Sequence, residues 1–145
     1  FRLLDMGVPA YMVATSLQAV IAQRLVRLNC EACSEPYAPT PQEEAWLTSF
    51  IAPGHKPLQA LRGKGCSSCN GTGFAGRQGI YEMLEMDHAL TQAATHADAS
   101  AFIKTATDRL RGKTLADHAL ALVLEGKTSL AEAVRVSQEA DELAG

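Results

Sequence analysis

Several features of other protein classes are missing from this chain of 145 residues. No uninterrupted apolar run is longer than that at residues 119–124, whereas a membrane-spanning helix needs about 20 such residues. The N-terminal residues lack a basic stretch followed by a long apolar one, so no signal peptide is predicted. A net charge of −3 gives no basic field that would favour nucleic acid. With 47% hydrophobic residues, intrinsic disorder is not expected.

An initiator methionine is also missing from the printed sequence. The chain begins with Phe1, and its first residues resemble the middle of a structural element. We therefore expect a part of a longer protein, with some of its functional apparatus outside this sequence.

Apolar residues near the N-terminus recur at three- and four-residue spacing, the pattern of one face of an amphipathic helix. They are Val13, Leu17, Val20, Ile21, Leu25 and Leu28. Pro9 precedes them, where a missing N–H group costs least. The sequence predicts a helix over residues 11–28. Arg24 and Arg27 would lie near its C-terminal end as solvated residues that complement the helix dipole.

The middle of the chain has a different composition. All four cysteines, five of the six prolines and seven of the eleven glycines fall between residues 29 and 79. This composition predicts loops and short strands, with one short helix over residues 41–50 capped by Thr40. Because this segment has too little regular apolar patterning to hold itself together, we expect it to need a stabilising cross-link.

The last part of the chain returns to regular structure. Residues 79–84 have the β-branched and aromatic content of a strand. A bundle of helices is expected from Asp87 onwards. Its predicted start and stop signals are Asp98 or Ser100, Gly112, Thr114, Gly126, and Thr128 or Ser129, with Glu132 completing a capping box for Ser129.

The four cysteines form two C-x2-C pairs, which are Cys30 with Cys33 and Cys66 with Cys69. A two-residue spacer lets both sulfurs of a pair face one ion, and two pairs supply the four thiolates of a tetrahedral Zn²⁺ site. Four thiolates close the coordination sphere, so the zinc is expected to be structural. A disulfide scaffold and a redox C-x2-C motif are weaker alternatives, and His55 could replace one thiolate.

Three other motifs partly resemble the motifs of functional sites. Residues 71–76 spell G-x-G-x-x-G, but they follow a cysteine pair and precede a strand, which is the wrong context for a dinucleotide site. G-K-T at residues 112–114 and 126–128 lacks the first glycine of a phosphate-binding P-loop. These motifs are interpreted as turns, and the chain is expected to have no ATP-binding loop and no catalytic residue.

The order of motifs resembles the C-terminal part of the type II secretion and type IV pilus assembly ATPases, the general secretion pathway protein E family. The motifs are QRLVRL at 23–28, CxxCSEPY at 30–37, GCxxC at 65–69, GFxGRxGIYE at 73–82 and TSLxEAxRV at 128–136. The C-x2-C-x-G-x-G at residues 66–73 also resembles the DnaJ-type chaperone zinc region. That chaperone and a free-standing zinc-ribbon binding module remain the alternatives.

The first resemblance implies an α+β, helix-rich fold: the tail of a RecA-like ATPase core with an inserted tetracysteine subdomain and a C-terminal helical bundle. The implied segments are 1–29 (core), 30–78 (zinc subdomain), 79–86 (core strand) and 87–145 (helical domain). The parent protein would be a bacterial cytoplasmic homohexamer, peripheral to the inner membrane, without nucleic acid or direct membrane insertion. Its partners would be the inner-membrane platform and other secretion or pilus assembly proteins.

By the same resemblance, the site for ATP and Mg²⁺ lies outside this chain. Arg77 and Glu82 flank the predicted core strand. They are expected to form surface or structural ion pairs, which are common and weak.

Overall fold

A computed structural model describes residues 1–50 and 59–144, without the side chains of residues 140–144, and it has an α+β, helix-rich fold. The helices are α1 (Arg2–Asp5), α2 (Ala10–Ser16), α3 (Pro41–Thr48), α4 (His88–Thr95), α5 (Ala99–Arg109), α6 (Leu115–Leu124) and α7 (Leu130–Ala144). The strands are β1 (Ala19–Asn29), β2 (Ser34–Tyr37), β3 (Ala60–Gly63) and β4 (Phe74–Glu85), and Ser67–Cys69 form a 3-10 turn. Among the described residues, no helix is both long and apolar enough to cross a membrane.

The single helix predicted over residues 11–28 is wrong. Helix α2 ends at Ser16, Leu17 takes an extended backbone conformation, and β1 follows. Ile21 and Leu25, which the helical pattern placed on a buried face, are 64% and 51% exposed, whereas Val26 is fully buried. The aliphatic residues of this segment also suit a strand, and pairing with β4 decides between the two forms.

The strand predicted at residues 79–84 is confirmed and extends in both directions, because β4 runs from Phe74 to Glu85. β4 pairs with β1. The Gln23 side chain contacts Tyr81, and the Cys30 N–H donates to the Gly73 carbonyl. Residue numbers therefore increase along β1 while they decrease along β4, as in an antiparallel pair. The second sheet pairs β2 with β3 antiparallel, from Ser34 opposite Gly63 to Tyr37 opposite Ala60.

Most of the predicted helix signals are confirmed. Thr40 forms a capping box with Glu43 at the start of α3, although that helix ends at Thr48. The Asp98 carboxylate caps α5 by accepting from the Ala101 N–H. At the start of α7, the Glu132 N–H donates to Ser129 Oγ, as the capping-box pattern predicts. The Glu132 carboxylate instead accepts hydrogen bonds from Arg27 and from Arg135.

The chain divides into two compact units, whose boundaries fall within β1, within β4 and between α5 and α6. Unit 1 comprises residues 1–22 and 82–114, and its buried residues include Leu90, Ala93 and Ala94. Unit 2 comprises residues 23–81 and 115–145. The largest fully buried side chains of its core are Val26, Ile80, Val123, Thr128, Leu130, Glu132 and Val136. The helices expected after Asp87 are present, with α4 and α5 in unit 1 and α6 and α7 in unit 2.

Candidate metal centre

The four cysteines lie where the strands of unit 2 end. Cys30 follows β1 directly, and Cys33 stands immediately before β2. Cys66 precedes the 3-10 turn, Cys69 is its last residue, and β4 begins a few residues later. The two sheets therefore bring the two sequence-distant pairs to one place.

The sulfur atoms form a compact cluster. All four Sγ atoms lie within 4.8 Å of one another. The Sγ–Sγ distances are 3.8 Å for Cys30–Cys66, 3.9 Å for Cys33–Cys69 and 3.7 Å for Cys66–Cys69. Four bonds of about 2.3 Å to a tetrahedral zinc ion require sulfur–sulfur edges of about 3.8 Å. The cluster therefore has the size of a four-thiolate metal site, and all four cysteines are free of disulfides.

Tight turns aim both sulfurs of each pair inward. In the first pair, the Cys33 N–H donates to the Cys30 carbonyl at 3.3 Å. In the second pair, the chain reverses through Asn70, whose φ of 55° lies in the left-handed region, and the Gly71 N–H donates to the Cys66 carbonyl at 2.8 Å. Asparagine tolerates this conformation better than most residues do.

Backbone N–H groups of the same turns donate to two of the sulfurs. The Cys69 Sγ accepts from the N–H groups of Cys66 and Gly73, each at 3.2 Å. Burial raises the pKa of Cys69, but these donors outweigh it and lower that pKa to about 6. At Cys33, the Gly65 N–H lowers the pKa, but burial and the neighbouring thiols outweigh this donor and raise the pKa to about 11. A metal ion requires thiolates, so protons compete with it here.

The other sequence motifs lie in turns or outside the described residues. Gly71 and Gly73 have positive φ in the turn that leaves the cysteine cluster, as the turn interpretation predicts. Gly112 and Gly126, also with positive φ, stand between consecutive helices. His55 is outside the described residues.

An ion-pair network in unit 2 was missed by the sequence analysis. The Glu132 carboxylate, only 2% exposed, accepts from the Arg27 backbone N–H at 2.9 Å and from the Arg27 guanidinium at 2.6 Å. Arg135 donates to both of its oxygens, at 3.1 and 2.8 Å. The Arg27 guanidinium also lies 4.2 Å from the centre of the Phe74 ring. Arg27 therefore belongs to a strand and a network, and its expected place at a helix end is wrong.

At Glu132, the attraction of the arginine partners outweighs the effect of burial on the pKa. Burial raises the pKa of Glu132, but the guanidinium groups of Arg135 and Arg27 together outweigh it and lower that pKa to about 2. The i, i+3 spacing of Glu132 and Arg135 was a signal for half of the network. No local pattern links Arg27 to a residue so far along the chain.

The remaining predicted polar residues have ordinary surroundings. Arg77 is exposed on β4, and Glu82 is half-buried on the same strand. Arg24 also lies in β1, so its expected place at a helix end is wrong as well, and its side chain donates to the Gln23 carbonyl at 2.6 Å. The expectation of weak ion pairs at Arg77 and Glu82 stays a prediction.

Sequence comparisons define the class of protein. A family model described as "Type II/IV secretion system protein" matches residues 1–135, so the chain belongs to that family. The resemblance drawn from the motif order is thereby confirmed.

Individual relatives include both secretion and pilus proteins. The chain is 39% identical over 138 residues to the type II secretion system ATPase E of Vibrio cholerae, covering 95% of this chain and 27% of the relative. It is 37% identical to the type II secretion system protein E of Pseudomonas aeruginosa, with the same coverage. It is 33% identical to the type IV pilus assembly ATPase PilB of Myxococcus xanthus, covering 92% of this chain and 24% of the relative. The chain therefore spans about a quarter of the length of these relatives.

Proposed function

We propose that this chain is the C-terminal part of a cytoplasmic hexameric ATPase that powers type II protein secretion or type IV pilus assembly. The observation that carries the proposal is the four-cysteine cluster held at the ends of β1 and β4 in a chain of this family. Relatives named as secretion and pilus ATPases support the same activity for the parent protein.

ATP hydrolysis is assigned to the parent protein and not to this chain. Neither G-K-T motif has the first glycine of a P-loop, and both lie between helices, whereas a P-loop follows a strand. ATP and Mg²⁺ would bind in the remainder of the parent, within its RecA-like core. Residues 1–29 and 79–86 would complete that core.

Cys30, Cys33, Cys66 and Cys69 would bind one structural Zn²⁺. Four thiolates leave no open coordination position for water or substrate, so the ion would support the fold and not the chemistry. It would close the segment at residues 30–78 into a rigid projection by joining the ends of both sheets. A rigid projection can transmit force to a partner, whereas a slack loop cannot.

The partners proposed for the parent are the inner-membrane platform and other secretion or pilus assembly proteins, together with further copies of itself. Residues 87–145 would be its helical domain. The parent would be cytoplasmic and peripheral to the inner membrane, with neither nucleic acid nor direct membrane insertion in its function.

The zinc proposal is tested by metal content. The chain purified under reducing conditions is expected to contain one zinc ion per molecule. Cys66→Ser should release it, because three thiolates bind far more weakly than four. Ser67→Ala, a change in the same turn that removes no ligand, is the control. Two ions per chain would favour a chaperone zinc region, and unchanged zinc in Cys66→Ser would refute the four-thiolate site.

The motor proposal is tested on the product of the complete gene. It should hydrolyse ATP and form hexamers, and its sequence upstream of Phe1 should contain a P-loop. Cys66→Ser in that product is expected to impair secretion or pilus growth in a cell that depends on it. A complete product without a P-loop would contradict the proposal.

A further inference from the structure

Two glycines bring separate segments of the metal centre into backbone contact. Gly63, the last residue of β3, lies against Gly73 in the turn that leads into β4. A Cβ atom added to Gly63 would fall on the Gly73 carbonyl oxygen, closer than any allowed carbon–oxygen contact. A Cβ atom added to Gly73 would meet the Gly63 carbonyl oxygen in the same way. No other amino acid allows this approach without a shift of the backbone.

Gly73 also connects the two cysteine pairs through its own backbone. Its carbonyl accepts from the Cys30 N–H at 2.9 Å, and its N–H donates to the Cys69 Sγ at 3.2 Å. Gly73 is buried, so these hydrogen bonds are shielded from competition with water. One residue thus links a ligand of the first pair to a ligand of the second.

A second close glycine contact lies next to the Cys33 sulfur. The Gly65 N–H donates to the Cys33 Sγ at 3.2 Å. A Cβ atom added to Gly65 would lie 2.8 Å from the Gly71 carbonyl oxygen, a milder overlap than that at Gly63. The segment before Cys66 therefore reaches a sulfur of the first pair only because its backbone can come this near.

We propose that Gly63 and Gly73 form a clasp that assembles the four sulfurs before the metal binds, and that this preassembly sets the metal affinity. The proposal rests on the assignment of a zinc site to the four cysteines. The glycines are positioning residues that bind no metal. Gly73 acts through its hydrogen bonds to Cys30 and Cys69, and Gly63 acts by allowing the backbone of Gly73 to come this near. Metal binding then requires little ordering of the chain, which raises affinity.

The glycines supply matched substitutions. Gly63→Ala introduces the overlap with Gly73, and the φ of Gly63 lies outside the left-handed region. Gly71→Ala is the control, because Gly71 has a φ of 77° and no atom within 4 Å of an added Cβ. The control therefore has backbone strain without a clash, and both variants keep every N–H group.

The experiment measures zinc affinity of the 145-residue chain by competition with a chelator, together with the visible spectrum of the Co²⁺-loaded form. Gly63→Ala is expected to weaken zinc binding about 10- to 100-fold, the range found when groups that orient metal ligands are changed. It should also alter the Co²⁺ ligand-field bands. Gly71→Ala should leave those bands unchanged and alter affinity less than Gly63→Ala does.

Thermal unfolding with and without zinc separates positioning from general stability. A merely structural defect lowers the melting temperatures of both forms alike and leaves affinity unchanged, and this result for Gly63→Ala would overturn the clasp. If Gly63→Ala does not fold, Gly73→Ala replaces it, since Gly73 and Gly71 share a positive φ and differ in the overlap. Equal affinities of those two variants would also overturn it. A wild-type chain that binds no zinc would instead refute the underlying metal site.

Discussion

The two units of this chain differ in how completely each buries its large apolar side chains. Among the largest fully buried side chains of the described residues, only Leu90 lies in unit 1, and the others are in unit 2. Unit 1 exposes large apolar side chains, which include Leu3, Met6, Tyr11, Met12, Ile21, Met83 and Ile103. It also has an open apolar groove of about 540 Å³ whose lining includes Phe1, Leu17 and Phe102.

The difference shows that unit 2 is stabilised by three kinds of interaction within this chain. It has an apolar core, the buried carboxylate of Glu132 with its two arginine partners, and the cysteine cluster. In unit 1, the buried apolar residues are two leucines and three alanines, Leu84, Leu90, Ala14, Ala93 and Ala94, with N-caps at Asp87 and Asp98. We therefore expect amide hydrogens of unit 2 to exchange more slowly than those of unit 1.

Removing the proposed zinc ion should have the largest effect on this contrast. Binding to the folded state alone stabilises a protein by about 4 kcal/mol when the free ion is at 1,000 times its dissociation constant. A strong chelator is therefore expected to accelerate hydrogen exchange in unit 2 far more than in unit 1. Equal acceleration of hydrogen exchange in both units would contradict the expected difference between them.

Truncation of one buried leucine in each unit is the next largest test. Leu130 and Leu90 are both fully buried. Leu130→Ala is expected to lower the free energy of unfolding by about 2–5 kcal/mol, and Leu90→Ala by less, because unit 1 buries fewer large side chains and a cavity there can collapse more readily. Denaturant unfolding measures both. Ile103→Ala, at a position 61% exposed, should change stability by about 0.5 kcal/mol or less.

The Glu132 network should give unit 2 a pH dependence in acid. The pKa of Glu132 is lowered to about 2 in the folded state from its ordinary value of 4.5. Its contribution is therefore complete above pH 4.5 and is lost as the pH falls towards 2.

Glu132→Gln should cost about 1–3 kcal/mol at neutral pH, because it leaves charged donors with a weaker acceptor. Urea unfolding between pH 2 and 7 should show a flatter profile for this variant. Glu139→Gln, which removes a more exposed partner of Arg135, is the control and should cost less than about 1 kcal/mol. A Glu132→Gln profile identical to that of the wild type would contradict the network's role.

Helix caps should have the smallest effects, and these should be alike in both units. Thr40 caps α3 in unit 2, and Asp98 caps α5 in unit 1. Thr40→Ala and Asp98→Ala should each cost about 1 kcal/mol, because each leaves one N–H group of the first turn without its side-chain acceptor. A much larger effect at Thr40 would show that the cap is coupled to the rest of unit 2, where the Glu43 carboxylate accepts from the Tyr37 hydroxyl.

Local signals predicted the parts of the fold that depend on near neighbours. Thr40, Asp98 and Ser129 marked helix starts because a cap and its N–H partner lie three residues apart. The β1 strand could not be predicted in this way. Its apolar spacing fits a helix, and the partner that makes it a strand, β4, begins far along the chain. The Arg27–Glu132 pair escaped for the same reason.

The sequence by itself determined the family, the two cysteine pairs and most helix starts, since each depends on residue identity at short spacing. Only the tertiary structure decided that residues 19–29 form a strand, that Arg27 meets Glu132, and that Gly63 packs against Gly73. These three outcomes depend on contacts between segments far apart along the chain. Their free energies exceed the weak local preferences that a sequence pattern records.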